Sequence, residues 1–125
     1  MHILMTGGTG LIGTAISPVL HESGHKLTIL TRRAPRETDD ATYVTALADC
    51  AEPVDAVINL AGAGLADRRW SSAYKRQIVS SRVDLTRELV VWLGECEQPP
   101  SKLISASAIG YYGAAEAQTF TESDE

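Results

Sequence analysis

This chain predicts a doubly wound α/β fold with a parallel sheet in the strand order 3-2-1-4-5. Three observations predict it. Short apolar runs alternate with helix-period stretches along the 125 residues, the signature of βαβ units with right-handed crossovers. The first run, residues 2–6, passes directly into Gly7, Gly10 and Gly13 at the spacing G-x-x-G-x-x-G and then into a helical pattern. The chain stops shortly after the fifth apolar run, where a full dinucleotide fold has a sixth strand. The sheet is therefore expected to be truncated after strand five, as the N-terminal part of a longer protein.

Residues 2–6 read as a buried strand. From Leu11 the apolar residues fall in pairs, Leu11/Ile12, Ala15/Ile16 and Val19/Leu20, a helix stripe laid on a sheet, with Gly24 as its C-terminal stop. Pro18 falls inside that helix, where proline removes a hydrogen bond at a cost of about 3 kcal/mol, so a kink is expected there. Residues 26–31 alternate and are rich in β-branched types, which predicts strand two. Residues 32–41 are polar, contain Pro35 and read as a loop, and residues 42–45 as a short third strand. Residues 46–53 hold a helical turn or two at most, and 54–60 form strand four. The longest helix spans 71–93, with Gly94 ending it and Pro99-Pro100 forbidding continuation. Its apolar stripe is wide for one buried face. That leaves a second side for a homodimer partner or for a C-terminal portion of the chain. Strand five begins at Lys102 and runs to Ser107. Residues 1–113 are read as one domain, and 114–125 as a polar, acidic tail leading to an absent C-terminal part.

A net charge of -5 argues against nucleic acid as a partner, because phosphate backbones require a basic surface. No apolar run approaches the ~20 residues of a membrane span, and a strand starting at residue 2 leaves no room for a secretory signal. Cys50 and Cys96 lack metal-type spacing and read as reduced thiols, as in a cytoplasmic protein. His2, His21 and His25 show no ligand pattern.

The glycine segment carries the chemistry. Gly7 permits a tight turn, Gly10 lets the backbone approach a pyrophosphate, and Gly13 lets the helix pack close to the first strand. Amides from Thr9 through Leu11 to Ile12 would face the phosphates at a helix N-terminus, as in a Rossmann-type site. A P-loop would need Gly-Lys-Ser/Thr, and none is present. An NAD site places an acid about 20 residues past the glycines. Here that stretch is Leu30-Thr31-Arg32-Arg33, and two guanidiniums suit a 2′-phosphate, so NADP is expected in preference to NAD.

With these residues in place, the chain resembles the extended or atypical short-chain dehydrogenases/reductases, and among them the sugar-nucleotide epimerase-like subgroup. The resemblance rests on Thr6 to Gly13, Leu30 to Arg33, Asp55 to Gly62, Arg69-Trp70, Ser81-Arg82-Val83 and Ser105 to Gly113, in family order over nearly the whole chain. It implies that Asn59, Ala61 and Gly62 line the adenosine and ribose side of the cofactor. It places the catalytic Ser or Thr at Ser107, with Ser105 as the alternative near the nicotinamide, and Tyr111 beside them. Members of the subgroup are about twice this length or more, and extended members dimerise through the long helix. Two departures stand out. The family's Tyr-x-x-x-Lys is absent: Tyr111 and Tyr112 are followed by Ala115 and Glu116, although the motif would fall beyond Glu125. In the long helix Arg82 stands where extended members have Asn; binding of an anionic group and a solvated helix charge are both open for it. The expected function is NADP-dependent oxidation–reduction or epimerisation of a small, nucleotide-linked substrate. The alternative is an NADP-sensing or regulatory module without catalysis, and fold does not choose between them.

Overall fold

A computed structural model describes residues 1–32, 38–50, 53–108, 113, 119–121 and 123. Five strands form one parallel sheet: β1 (His2–Thr6), β2 (Lys26–Leu30), β3 (Thr42–Val44), β4 (Ala56–Asn59) and β5 (Lys102–Ser105). Their spatial order is β3-β2-β1-β4-β5, as the sequence predicts. Helix α1 (Leu11–Glu22) joins β1 to β2, and α2 (Ser72–Glu95) joins β4 to β5. The register pairs Thr6 with Leu30 on one side and with Asn59 on the other, so the carboxyl ends of the three inner strands are level.

The chain leaves β1 toward β2 in one direction and reaches β5 from β4 in the other. Right-handed crossovers then place the two helices on opposite faces. The cores agree. Ile3, Met5, Leu27, Ile29 and Ile58 pack with Ile16 and Leu20 of α1. Leu4, Val57 and Leu47 pack with Leu89, Trp92 and Leu93 of α2. Alternation along β1 sends odd residues to one helix and even residues to the other. All five β1 residues are buried because both faces are covered.

Local chemistry refines several boundaries. α1 runs unbroken through Pro18, which sits on the exposed side of the helix where its ring meets solvent. The helix closes as expected: Gly24 has φ +79°, its amide donates to the His21 carbonyl, and the His25 amide reaches the Leu20 carbonyl at 3.1 Å. α2 does not stop at Gly94; it continues to Glu95 and ends where Cys96 turns extended. A glycine in the last turn is tolerated there, and the following prolines end the helix. Among the described residues between β3 and β4 the helical content is a single 3-10 turn, Leu47–Asp49. β5 stops at Ser105, two residues short of the predicted end.

His2 is buried and fully engaged. Its Nδ1 bonds the Pro53 carbonyl at 2.9 Å and its Nε2 bonds Thr28 Oγ1 at 2.8 Å. A carbonyl can only accept, so Nδ1 carries a proton and donates to Pro53. The His2 amide donates to the Asp55 carboxylate at 2.6 Å. These bonds tie β1 to β2 and to the segment leading into β4. The outer half of α2 is open: Val79, Val83, Val90 and Val91 are exposed, as are Leu103 and Ile104 of β5. No helix among the described residues is long and apolar enough to cross a membrane.

Candidate functional site

The strand order reverses between β1 and β4, and ligands of open α/β sheets bind at the carboxyl edge of that point. The glycine turn sits there. Gly7 has φ +72°, and a Cβ on it would lie 2.6 Å from the Leu60 carbonyl carbon and 2.7 Å from the Ala61 nitrogen. The turn closes with the Gly10 amide on the Gly7 carbonyl at 3.0 Å. A Cβ on Gly13 would fall 2.4 Å from the Gly8 Cα, so the first turn of α1 packs directly on the Gly7–Gly8 turn at this residue. Gly10 differs. A Cβ there would meet only the Gly7 carbonyl oxygen, at 3.3 Å, and the other side of the residue is open. α1 has no side-chain cap at its N-terminus and no acid in its first turn. Its first amides and dipole are thus left for an anion, with Thr9, Leu11 and Ile12 exposed around them. This arrangement fits a dinucleotide pyrophosphate.

A hydroxyl and amide relay joins the ends of three strands and α2. The Ala61 amide donates to Thr6 Oγ1 at 3.2 Å, and Thr6 Oγ1 donates to Asn59 Oδ1 at 2.6 Å. Asn59 Nδ2 then donates to Thr86 Oγ1 at 3.2 Å and to Ser105 Oγ at 3.3 Å. Thr6 and Asn59 are buried, and every buried side-chain polar atom among the described residues has a partner. Because Ser105 accepts from Asn59, its own proton remains available to donate. Ser107, two residues beyond the strand end, is exposed.

The loop after β4 is clamped by α2 and by its own Trp70. The Ala63 amide donates to Ser81 Oγ at 2.9 Å, Tyr74 Oη donates to the Gly64 carbonyl at 2.5 Å, and Trp70 Nε1 to the Leu65 carbonyl at 2.7 Å. Arg82 Nη1 donates to the carbonyls of Ala63 and Ile78, each at 3.1 Å. Its guanidinium lies on Gly62: a Cβ there would be 2.6 Å from Cζ. Gly64 likewise leaves room for the Asp67 carboxylate. The smallness of this loop thus seats ionic side chains of the chain itself.

The structure therefore brings Gly7, Gly10, Gly13, Asn59, Ala61, Gly62 and Ser105 to one edge. Arg32 is exposed two residues past the end of β2. Arg33 and Tyr111 lie outside the described residues. Thr6, Thr86 and the clamping residues Tyr74 and Ser81 are not legible as site residues in the sequence. Each is a common hydroxyl residue whose role depends on a partner far along the chain.

A doubly wound sheet with this glycine turn at its switch point defines a dinucleotide-binding domain. A profile of the NAD dependent epimerase/dehydratase family matches residues 3–125, and the chain belongs to that family. It is 42% identical over 130 residues to the epimerase family protein YfhF of Bacillus subtilis, covering 98% of this chain and 42% of that protein. It is 34% identical over 116 residues to the bovine epimerase family protein SDR39U1, covering 90% of this chain and 38% of that one. The chain thus spans about two fifths of the length of these relatives. Human SDR39U1, solved with NADPH, superposes with a TM-score of 0.76 at 28% identity, over 92% of this chain and 39% of that chain.

Proposed function

We propose that this chain is the NADP(H)-binding part of an epimerase-like oxidoreductase acting on a small, nucleotide-linked substrate. The observation that carries the cofactor reading is the pairing of the open glycine turn with Arg32 after β2, at the position where an acid would select NAD. NADPH in human SDR39U1 supports the same reading. The amides of Thr9 to Ile12 would take the pyrophosphate, Arg32 with Arg33 the 2′-phosphate, and Ala61 and Gly62 would border the ribose. The bound cofactor would supply hydride chemistry. Ser105, held by Asn59 with its proton free, is suited to donate to a carbonyl or hydroxyl oxygen of a ligand, and Ser107 and Tyr111 complete the proposed reactive set.

Titration of NADPH and NADH against the wild type and Arg32→Ala tests this. The expected result is a wild-type preference for NADPH that falls about 10-fold in the variant, one charge-assisted contact, with NADH binding unchanged. Equal binding of both cofactors by both proteins would overturn it.

A further inference from the structure

We propose that Arg82 is the docking point for an oxyanion, a carboxylate or phosphate, of the substrate. Three observations carry this. Arg82 has five N–H donors, yet its partners are two neutral carbonyls, both reached by Nη1, so Nη2, Nε and the positive charge are unspent. No carboxylate among the described residues pairs with it; the described ion pairs are His21–Asp40 and Asp84–Arg87. Its guanidinium is held in place on Gly62, where a side chain would expel it, and that restraint lowers the ordering cost of binding.

Its position assigns the oxyanion. Gly7 abuts the Leu60–Ala61 peptide and Arg82 abuts Gly62, so the guanidinium lies about two residues beyond the phosphate turn, on the β4–α2 side. Arg32 lies on the other side, past β2. A dinucleotide whose 2′-phosphate faces Arg32 and whose pyrophosphate meets the glycine turn runs its nicotinamide end toward β4, so Gly62 borders the nicotinamide half here and not the adenosine side that the family resemblance implies. That end carries no further phosphate, so the anion at Arg82 belongs to the substrate; this assignment rests on the cofactor reading above. The surroundings favour an anion. Residues 68–82 contain Arg68, Arg69, Lys75, Arg76 and Arg82 and no acid; they are flanked by Asp67, seated at Gly64, and by Asp84.

The test is an NMR titration of the ¹⁵N-labelled protein with sodium acetate and with inorganic phosphate, with glucose as a neutral control. The Arg82 Nε–H signal and the Gly62 and Ala63 amides should shift saturably, with Kd on the order of millimolar, for the anions only. In Arg82→Gln and in Gly62→Ala the two loop amides should lose that response by about 10-fold. NADPH affinity, read by nicotinamide fluorescence, should change less than about 2-fold in Arg82→Gln. Absence of saturable shifts in the wild type, or an unchanged response in Arg82→Gln, overturns the proposal. A 10-fold loss of NADPH affinity in Arg82→Gln assigns the anion to the cofactor and overturns the substrate assignment. If the wild type binds no NADPH, the cofactor reading and the assignment resting on it fall together, while the titration still decides whether Arg82 binds anions.

Discussion

At the scale of single residues, the site depends on atoms that are missing. Gly13 admits the backbone of Gly7–Gly8 into the space of a side chain, and the contact is with backbone, which cannot rotate away. Gly13→Ala should therefore cost roughly 1–3 kcal/mol or more, as overpacking does, and lower the urea midpoint. Gly10→Ala meets one oxygen at 3.3 Å and should leave the midpoint within about 0.5 kcal/mol of wild type, yet weaken NADPH binding. Both glycines look alike in the sequence, and only the surroundings separate stability from binding. Asn59 shows the same limit. The family resemblance marks it as lining a cofactor; its side-chain bonds are internal and hold Ser105. Asn59→Leu should strip Thr86 and Ser105 of a donor and leave Thr6 without an acceptor, destabilising by about 2–4 kcal/mol in a urea melt.

At the scale of elements, the sequence was most legible where periodicity and flanking turns agree. β1, α1 and β2 follow from a buried run, paired apolar residues and a glycine stop, and each lies within two residues of its predicted bounds. Gly94 misled because a glycine signals a helix end only when the chain adopts a left-handed conformation there, and Cys96 instead exits in an extended one. The wide stripe of α2 was legible, but not the side used. Leu89 is buried at 1% exposure while Val91 is 60% exposed. Leu89→Ala should accordingly cost about 2–5 kcal/mol and Val91→Ala less than about 0.5 kcal/mol in the same denaturation assay.

At the scale of the whole molecule, the sheet is well covered at its centre and, among the described residues, exposed along β5. Leu103 and Ile104 are half exposed or more, Leu103 on the face of the sheet that carries α2 and Ile104 on the face that carries α1. Exposed apolar surface binds hydrophobic dyes. The 125-residue chain by itself should enhance 8-anilinonaphthalene sulfonate fluorescence while keeping a cooperative unfolding transition. Replacing Leu103 and Ile104 with threonine should reduce that enhancement; an unchanged signal would place the apolar surface elsewhere.

The central place of β1 has a consequence for how the molecule is made. Leu4, Met5 and Thr6 have no exposed surface in the finished fold. They leave the ribosome well before one neighbouring strand, β4, which is complete only at Asn59. At about 5–20 residues per second that strand emerges some 3–10 seconds later. During synthesis, the residues best hidden at the end wait longest in the open.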